Sequence, residues 1–293
     1  MLNTPVLASL IVPCFNEKNS IESTIIEIEQ LELKPNTWEL IIVDDGSDDG
    51  GQEIMDRLSE SYSWLKIVRH EKNRGYGAAL KTGIRRAAGE VIVITDADGT
   101  YPNHMIPHLI DEMTDADMVV GSRTGETVEY SAIRKIPKIF LSWYCEWITD
   151  RAIPDINSGL RVFRKSVVEK YIHILPNSFS FTTTITIAFI TNNYLVKFVP
   201  IDYARRTGKS KIRPILDTLR FIQLILRTGM YFAPFRTFAP FVATLFVLFS
   251  ASMVYDIFLI KNLTDKTLVL LMLVMNSALF TLLADVMDKK ARR

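Results

Sequence analysis

Residues 91–102 read Val91-Ile92-Val93-Ile94-Thr95-Asp96-Ala97-Asp98-Gly99-Thr100-Tyr101-Pro102. The stretch opens as a continuous β-branched run and closes on two carboxylates, a glycine and a proline. Such a run is the pattern of a strand buried on both faces, as in a parallel sheet. In open α/β sheets, ligands sit beyond the carboxyl ends of the strands. Asp96 and Asp98 therefore stand where such a sheet keeps its chemistry. One residue apart, they can converge on a hard divalent cation, Mg²⁺ or Mn²⁺, which takes oxygen ligands. A solvated turn is the plain alternative, because Asp and Gly are ordinary turn residues.

The flanking chain repeats the same unit. Val6 to Val12 predicts a short strand, stopped by Pro13 and Asn16. Asn19 with Glu22 resembles a capping box, and Ile21, Ile25, Ile28 and Leu31 then recur at helical spacing. Leu40 to Val43 predicts a second strand, closed by Asp44-Asp45-Gly46-Ser47 and followed by a helix from Gln52 to Ser61. Leu65 to Val68 predicts a third strand, Asn73 to Gly77 a turn, and Ala78 to Ala88 a helix. After the opening strand come a helix over Asn103 to Met113 and a strand over Met118 to Val120. This alternation predicts an α/β fold, a mostly parallel sheet with helices on both faces.

Past Gly121 the pattern loosens. Ile133 to Asp150 predicts a helix with basic Arg134, Lys135 and Lys138 and bulky Trp143, Tyr144 and Trp147. The turn Asn157-Ser158-Gly159 leads into a strand, Leu160 to Phe163. Thr182 to Thr191 is read as a helix, because the chain must return to the strand Val196 to Val199.

The last part of the chain reads differently. Arg213, Arg220 and Arg227 are seven residues apart and share one helical stripe, with Leu216, Leu219, Ile222 and Leu226 on another. A basic amphipathic helix before an apolar span reads as lying at a membrane surface; a packed surface helix is the alternative. Phe238 to Ile260 carries one charge, Asp256, and Thr267 to Ala284 carries none. Each is long enough for a hydrocarbon core of ~30 Å. The short loop Lys261 to Lys266 makes them a hairpin, and the basic tail Lys289 to Arg293 is expected to stay cytoplasmic. Two crossings then place the first part of the chain on the same side of the inner membrane. The expected division is a catalytic domain at 1–211, an amphipathic region at 212–236, the spans at 237–288 and a basic tail at 289–293.

Composition narrows the function classes. A net charge of +1 over 293 residues gives no global pull toward nucleic acid. Two cysteines, Cys14 and Cys145, make no disulfide framework. His104 and His108 have the i, i+4 spacing of a zinc pair but lack the glutamate a zinc protease needs, so a solvated helix face is expected. No basic start with an apolar core and cleavage site precedes the first strand, so no signal peptide is expected.

Three strand ends then matter together: Pro13-Cys14-Phe15-Asn16-Glu17, Asp44-Asp45-Gly46-Ser47 and Asp96-Ala97-Asp98. A carboxylate at the second can accept hydrogen bonds from a nucleobase or a ribose hydroxyl. The Asp96–Asp98 pair can hold a metal that bridges a diphosphate.

The segments "IVPCFNE", "IIVDDGSDDG", "NRGYGAALKTGIRRAAGEVIVITDADGTYP" and "VVGSR" resemble the family 2 glycosyltransferases of the GT-A fold. "DINSGLRVFRK", "RRTGKSKI" and the hairpin narrow the likeness to polyprenyl-phosphate glycosyltransferases of the dolichol-phosphate mannose synthase type. The resemblance implies that Pro13, Phe15, Glu17, Val43, Asp45 and Ala97 line the nucleotide pocket, with Phe15 where a tyrosine is common. It implies Asp96 and Asp98 on the metal and diphosphate, Arg123 and Arg134 facing phosphate on the acceptor side, and Arg205 and Lys211 over the donor. Asp155 falls where the family places an active-site aspartate; it either orients or takes a proton, or only caps its turn. One departure is plain: Gly99-Thr100 stands where the family often has Leu-Gln.

The implied reaction moves glucose, mannose or another hexose from a UDP- or GDP-linked donor to undecaprenyl or dolichyl phosphate, with inversion. Its partners are the nucleotide sugar, the lipid phosphate and the bilayer, with no nucleic acid; a homo-oligomer is compatible with the interfacial helices. A polysaccharide synthase would want more spans and a Gln-x-x-Arg-Trp element, neither of which is found. A nucleotidylyltransferase would want a glycine-rich phosphate loop near the start, and "IVPCFNE" is not one. A non-catalytic membrane subunit is the third alternative.

Overall fold

The computed structural model describes residues 7–31, 33, 37–124, 143–204, 223 and 226–291. The chain divides into two compact units, residues 1–142 with 152–213, and residues 143–151 with 214–293.

The first unit is built on a seven-stranded sheet. Its strands are β1 (Ala8–Cys14), β2 (Trp38–Asp44), β3 (Leu65–Arg69), β4 (Val91–Ile94), β5 (Met118–Ser122), β6 (Arg161–Arg164) and β7 (Val196–Pro200), in the order β3-β2-β1-β4-β6-β5-β7. β1 pairs in parallel with β2 and β4, β2 with β3, and β5 with β7. β6 runs antiparallel between β4 and β5. Alternate side chains on each strand go to opposite faces. Leu10, Val12, Leu40, Ile42, Val93, Val119 and Val162 pack on one face; Ile11, Ile41, Val43, Ile92, Ile94, Val120 and Phe163 pack on the other. Both sets are apolar because both faces are covered, which is why these strands read as unbroken hydrophobic runs.

The helices are α1 (Ile21–Glu29), α2 (Gly51–Ser61), α3 (Tyr76–Arg86), α4 (Ile106–Asp111), α5 (Lys165–Tyr171) and α6 (Phe181–Thr191). α1 buries Ile21, Ile25 and Ile28, at the spacing read from the sequence. Its capping differs from expectation. Ser20 is the N-cap, with no side-chain cap bond, and its hydroxyl turns back to the Glu17 carbonyl at 3.3 Å. α4 is shorter than the pattern suggests, because Asn103–Met105 and Glu112–Asp115 wind as tighter 3₁₀ turns at its two ends. His104 and His108 are exposed, as a solvated face requires. The β-branched segment α6 is helical, with four buried threonines, Thr182, Thr183, Thr184 and Thr186.

The antiparallel β6 departs from strict alternation, and it matters for the site. Ile94 pairs with Arg161, and Val120 pairs with the same residue. The start of β6 therefore lies at the edge where β1, β2, β4 and β5 end. Residues 155–159, just before β6, are delivered to that edge.

In the second unit, α7 (Pro234–Tyr255) continues through a π-helical turn, Asp256–Ile260, and α8 (Asp265–Ala291) follows. Two helices, Pro234–Ile260 and Asp265–Lys290, are long and apolar enough to cross a membrane. At the turn, Asp256 Oδ2 accepts the Thr264 N–H at 2.8 Å and the hydroxyls of Thr264 at 2.6 Å and Thr267 at 2.7 Å. Residues 143–149 are helical. Trp147 Nε1 donates to the Arg236 carbonyl at 3.1 Å, and Arg236 in turn reaches Asp150 at 3.2 Å. Of the basic stripe only Arg227 is described, and it is exposed; Arg213, Arg220 and residues 133–142 of the expected Ile133 to Asp150 helix lie outside the described residues.

Candidate active site

β1 and β2 end side by side, with Pro13 opposite Val43 and Cys14 opposite Asp44. Their loops are sewn together by side chains. Asn16, at φ 56°, donates its amide to Asp48 Oδ1 at 2.8 Å and accepts the Asp48 N–H at 2.9 Å. Asp49 Oδ2 accepts the Lys18 N–H at 2.8 Å. Asp44 closes its own turn by accepting the Ser47 N–H at 2.9 Å. Phe15 is partly exposed beside this seam, and Val43 is fully buried in the strand.

Asp45 is buried and is a hub for the neighbouring loop. Its Oδ1 pairs with His70 Nδ1 at 2.6 Å and accepts the Arg74 N–H at 2.9 Å; its Oδ2 accepts the Gly75 N–H at 2.8 Å. The second ring nitrogen of His70 meets the Thr82 hydroxyl at 2.9 Å. The carboxylate thus holds the entry to α3. Gly75, at φ 102°, and Gly77 sit so close to the backbone of residues 176–178 that a Cβ on either would overlap it.

Tyr76, between those glycines, stacks on Phe179 with centroids 5.3 Å apart and donates its hydroxyl to Asp96 Oδ1 at 3.0 Å. Burial and then the Asp96 charge push its phenol well above the ordinary value, so it stays a proton donor. Asp98 Oδ1 accepts both the N–H of Thr100, at 3.2 Å, and its hydroxyl, at 2.6 Å. Ala97 is buried, and its carbonyl accepts the Thr24 hydroxyl at 3.3 Å. Among the described residues no group of three His, Cys, Asp or Glu side chains is placed to hold a metal. Two carboxylates still fit Mg²⁺ or Mn²⁺, which keeps water and draws further oxygens from substrate phosphates.

The segment before β6 closes on Asp96. Gly159 lies against Asp96, where a Cβ would come within 2.9 Å of Oδ2. Its N–H donates to the Tyr101 hydroxyl at 2.6 Å. Asp155 is buried and clamps Arg123: Oδ2 accepts Nε at 2.7 Å and the backbone N–H at 3.0 Å, and Oδ1 accepts Nη2 at 3.0 Å. The Asn157 N–H also reaches Oδ1, at 3.2 Å. The guanidinium lies over the Tyr203 ring, 5.1 Å from its centroid.

Sequence reasoning passed over His70, Tyr76, Tyr101 and Arg161. Arg161 is fully buried; it donates to the carbonyls of Ser158 at 2.6 Å, Ile156 at 2.7 Å and Thr182 at 2.9 Å, and to the Thr186 hydroxyl. Burial lowers its pKa to about 10, so it remains charged beneath the 155–159 loop. The signal for Tyr76 was present in the flanking glycines of Gly75-Tyr76-Gly77. Nothing local marks Arg161, which lies in an otherwise apolar strand. Arg134, Arg205 and Lys211 lie outside the described residues.

An α/β sheet of this order, with acidic strand ends gathered at one edge, is the GT-A class of fold. The chain belongs to the family described as Glycosyl transferase family 2, whose model matches residues 9–172. It is 30% identical over 233 residues to a dolichol-phosphate mannosyltransferase of Pyrococcus furiosus, covering 75% of this chain and 63% of that protein. It is 28% identical to an undecaprenyl-phosphate 4-deoxy-4-formamido-L-arabinose transferase of Pseudomonas fluorescens, over 84% of this chain and 72% of that one. A dodecaprenyl-phosphate galacturonate synthase of Rhizobium johnstonii is 27% identical, over 89% and 80%. The fold also matches glucosyl-3-phosphoglycerate synthase from Mycobacterium tuberculosis, solved with uridine diphosphate, at a TM-score of 0.60 and 19% identity, over 76% of this chain and 79% of that one. The same enzyme has been solved with Mn²⁺, uridine diphosphate and its product, at a TM-score of 0.57.

Proposed function

We propose that this glycosyltransferase moves a hexose from a nucleotide-diphosphate donor, UDP- or GDP-linked, to a polyprenyl phosphate, with inversion at the sugar. The observation that carries the reading is the pairing of one acidic strand edge with two apolar helices of membrane-spanning length in a single chain. Relatives named for dolichyl, undecaprenyl and dodecaprenyl phosphate support the acceptor class.

In this reading the nucleotide lies along the seam of β1 and β2, where Pro13, Phe15, Glu17, Val43 and Asp45 gather. Asp96 and Asp98 would hold Mg²⁺ or Mn²⁺, which supplies charge neutralisation on the leaving diphosphate. Asp155 fixes the Arg123 guanidinium in one plane, so a cation is ready for phosphate without reorganisation. A polyprenyl phosphate oxygen is already ionised near neutral pH, so attack on the anomeric carbon needs position more than a strong base. This favours orientation of Arg123, over proton abstraction, as the work of Asp155. Arg134 on the acceptor phosphate and Arg205 and Lys211 on the donor remain part of the proposal.

The exposed apolar side chains of the hairpin, such as Val247, Phe258, Met272 and Phe280, suit lipid. The hairpin would keep the enzyme at the bilayer, where its acceptor resides. The basic tail would lie with the catalytic unit on the cytoplasmic side.

Full-length protein in detergent, given Mn²⁺ and a panel of labelled UDP and GDP sugars, should put label on undecaprenyl or dolichyl phosphate from one donor. Asp98→Ala should abolish that transfer while leaving the thermal unfolding profile intact. Full activity in Asp98→Ala would refute the assignment of the carboxylate pair.

A further inference from the structure

Tyr76 and Thr100 lie outside the Asp-x-Asp pair, yet each places a hydroxyl on one of its carboxylates. We propose that Tyr76 and Thr100 are the positioning residues of this pair: they fix Asp96 and Asp98 for a divalent cation. The inference rests on the reading of Asp96 and Asp98 as ligands of metal and diphosphate.

Each hydroxyl fixes the orientation of the carboxylate it meets. Carboxylates that ligate metals are commonly held by such outer hydrogen bonds, and losing one typically costs about 10- to 100-fold in metal affinity.

Both donors are themselves held. Tyr76 begins α3, and its position is set from three sides. Asp45 holds the N–H groups of Arg74 and Gly75. Gly75 and Gly77 are pressed against the backbone of residues 176–178. Phe179 stacks on the ring at an interplanar angle of 19°. Thr100 is placed by the turn before it. Gly99 takes φ 68°, a conformation open to glycine, and this folds the chain back so that residue 100 meets residue 98 through both its N–H and its hydroxyl. The Thr100 carbonyl is also occupied, accepting the Ala204 N–H at 3.0 Å. The hydroxyl that meets Asp98 therefore sits on backbone tied at both its polar groups.

The test uses the full chain in detergent, with free Mn²⁺ read by electron paramagnetic resonance in the presence of UDP and, separately, GDP. Thr100→Val and Tyr76→Phe should each weaken Mn²⁺ binding by about tenfold. Binding of the nucleotide without metal should stay at the wild-type value, which also reports that the variants fold. Thr100→Ser, which keeps the hydroxyl, should bind Mn²⁺ within about twofold of wild type. Wild-type Mn²⁺ affinity in Thr100→Val and Tyr76→Phe, with binding lost in Asp98→Ala, would overturn the positioning role and leave the metal site standing. Wild-type affinity in Asp98→Ala would overturn the metal reading, and the positioning role with it.

Discussion

Asp155 and Arg123 meet through two side-chain bonds and one to the backbone, a geometry that locks a guanidinium in place. The proposed role of Asp155, orienting Arg123, has a kinetic consequence. Asp155→Asn should lower kcat by about 100-fold, the usual scale for a misplaced charge-stabilising group. The pH–rate profile should keep its shape, since no titrating base is removed. Loss of a limb from that profile would instead mark Asp155 as the proton acceptor. Asp45 shows what can be read at this scale and what cannot. Its place at a strand end was legible in Asp44-Asp45-Gly46-Ser47. Its bonds to His70, Arg74 and Gly75 were not, because they join residues 25 to 30 positions apart. Arg161 was less legible still, since a buried cation satisfied by carbonyls leaves no pattern along the chain.

At the scale of elements, the sheet depends on polar joints as well as apolar packing. Glu39, on β2, is almost wholly buried. It accepts the Ser9 hydroxyl and the Ala88 N–H, each at 2.6 Å, and pairs with Lys66, joining β1, β2, β3 and the end of α3. Burial alone would raise its carboxyl, but the bonds from Lys66, Ser9 and Ala88 outweigh it and hold the value below the ordinary 4.5. A depressed carboxyl contributes stability above its unfolded value and loses it as pH falls through the folded one. The melting temperature should therefore drop on acidification below pH 4.5, and less steeply in Glu39→Gln than in wild type. At neutral pH the same variant should cost about 1–3 kcal/mol, read from thermal or denaturant unfolding. The parallel half of the sheet was plain from its β-α alternation. The antiparallel β6 was not, because a four-residue strand looks the same in either direction. Its direction is a property of the sheet, and it is what carries residues 155–159 to the site.

At the scale of the whole molecule, the chain joins a GT-A unit to a helical hairpin. The hairpin was the clearest feature after the opening strand, since both spans are apolar on all sides and little of either is buried. Removing Phe238 to Arg293 should shift the protein from the membrane to the soluble fraction on carbonate washing; a fragment that still sediments with membranes would place the anchor elsewhere. At the centre stands the proposal that the acidic strand edge serves a lipid-phosphate acceptor. It is tested most directly by competition: full-length protein, Mn²⁺ and the active labelled donor, offered polyprenyl phosphate and a soluble saccharide in one vessel. Label is expected on the lipid phosphate, in a product with the anomeric configuration inverted relative to the donor. Label on the soluble saccharide, with the lipid phosphate left bare, would contradict it.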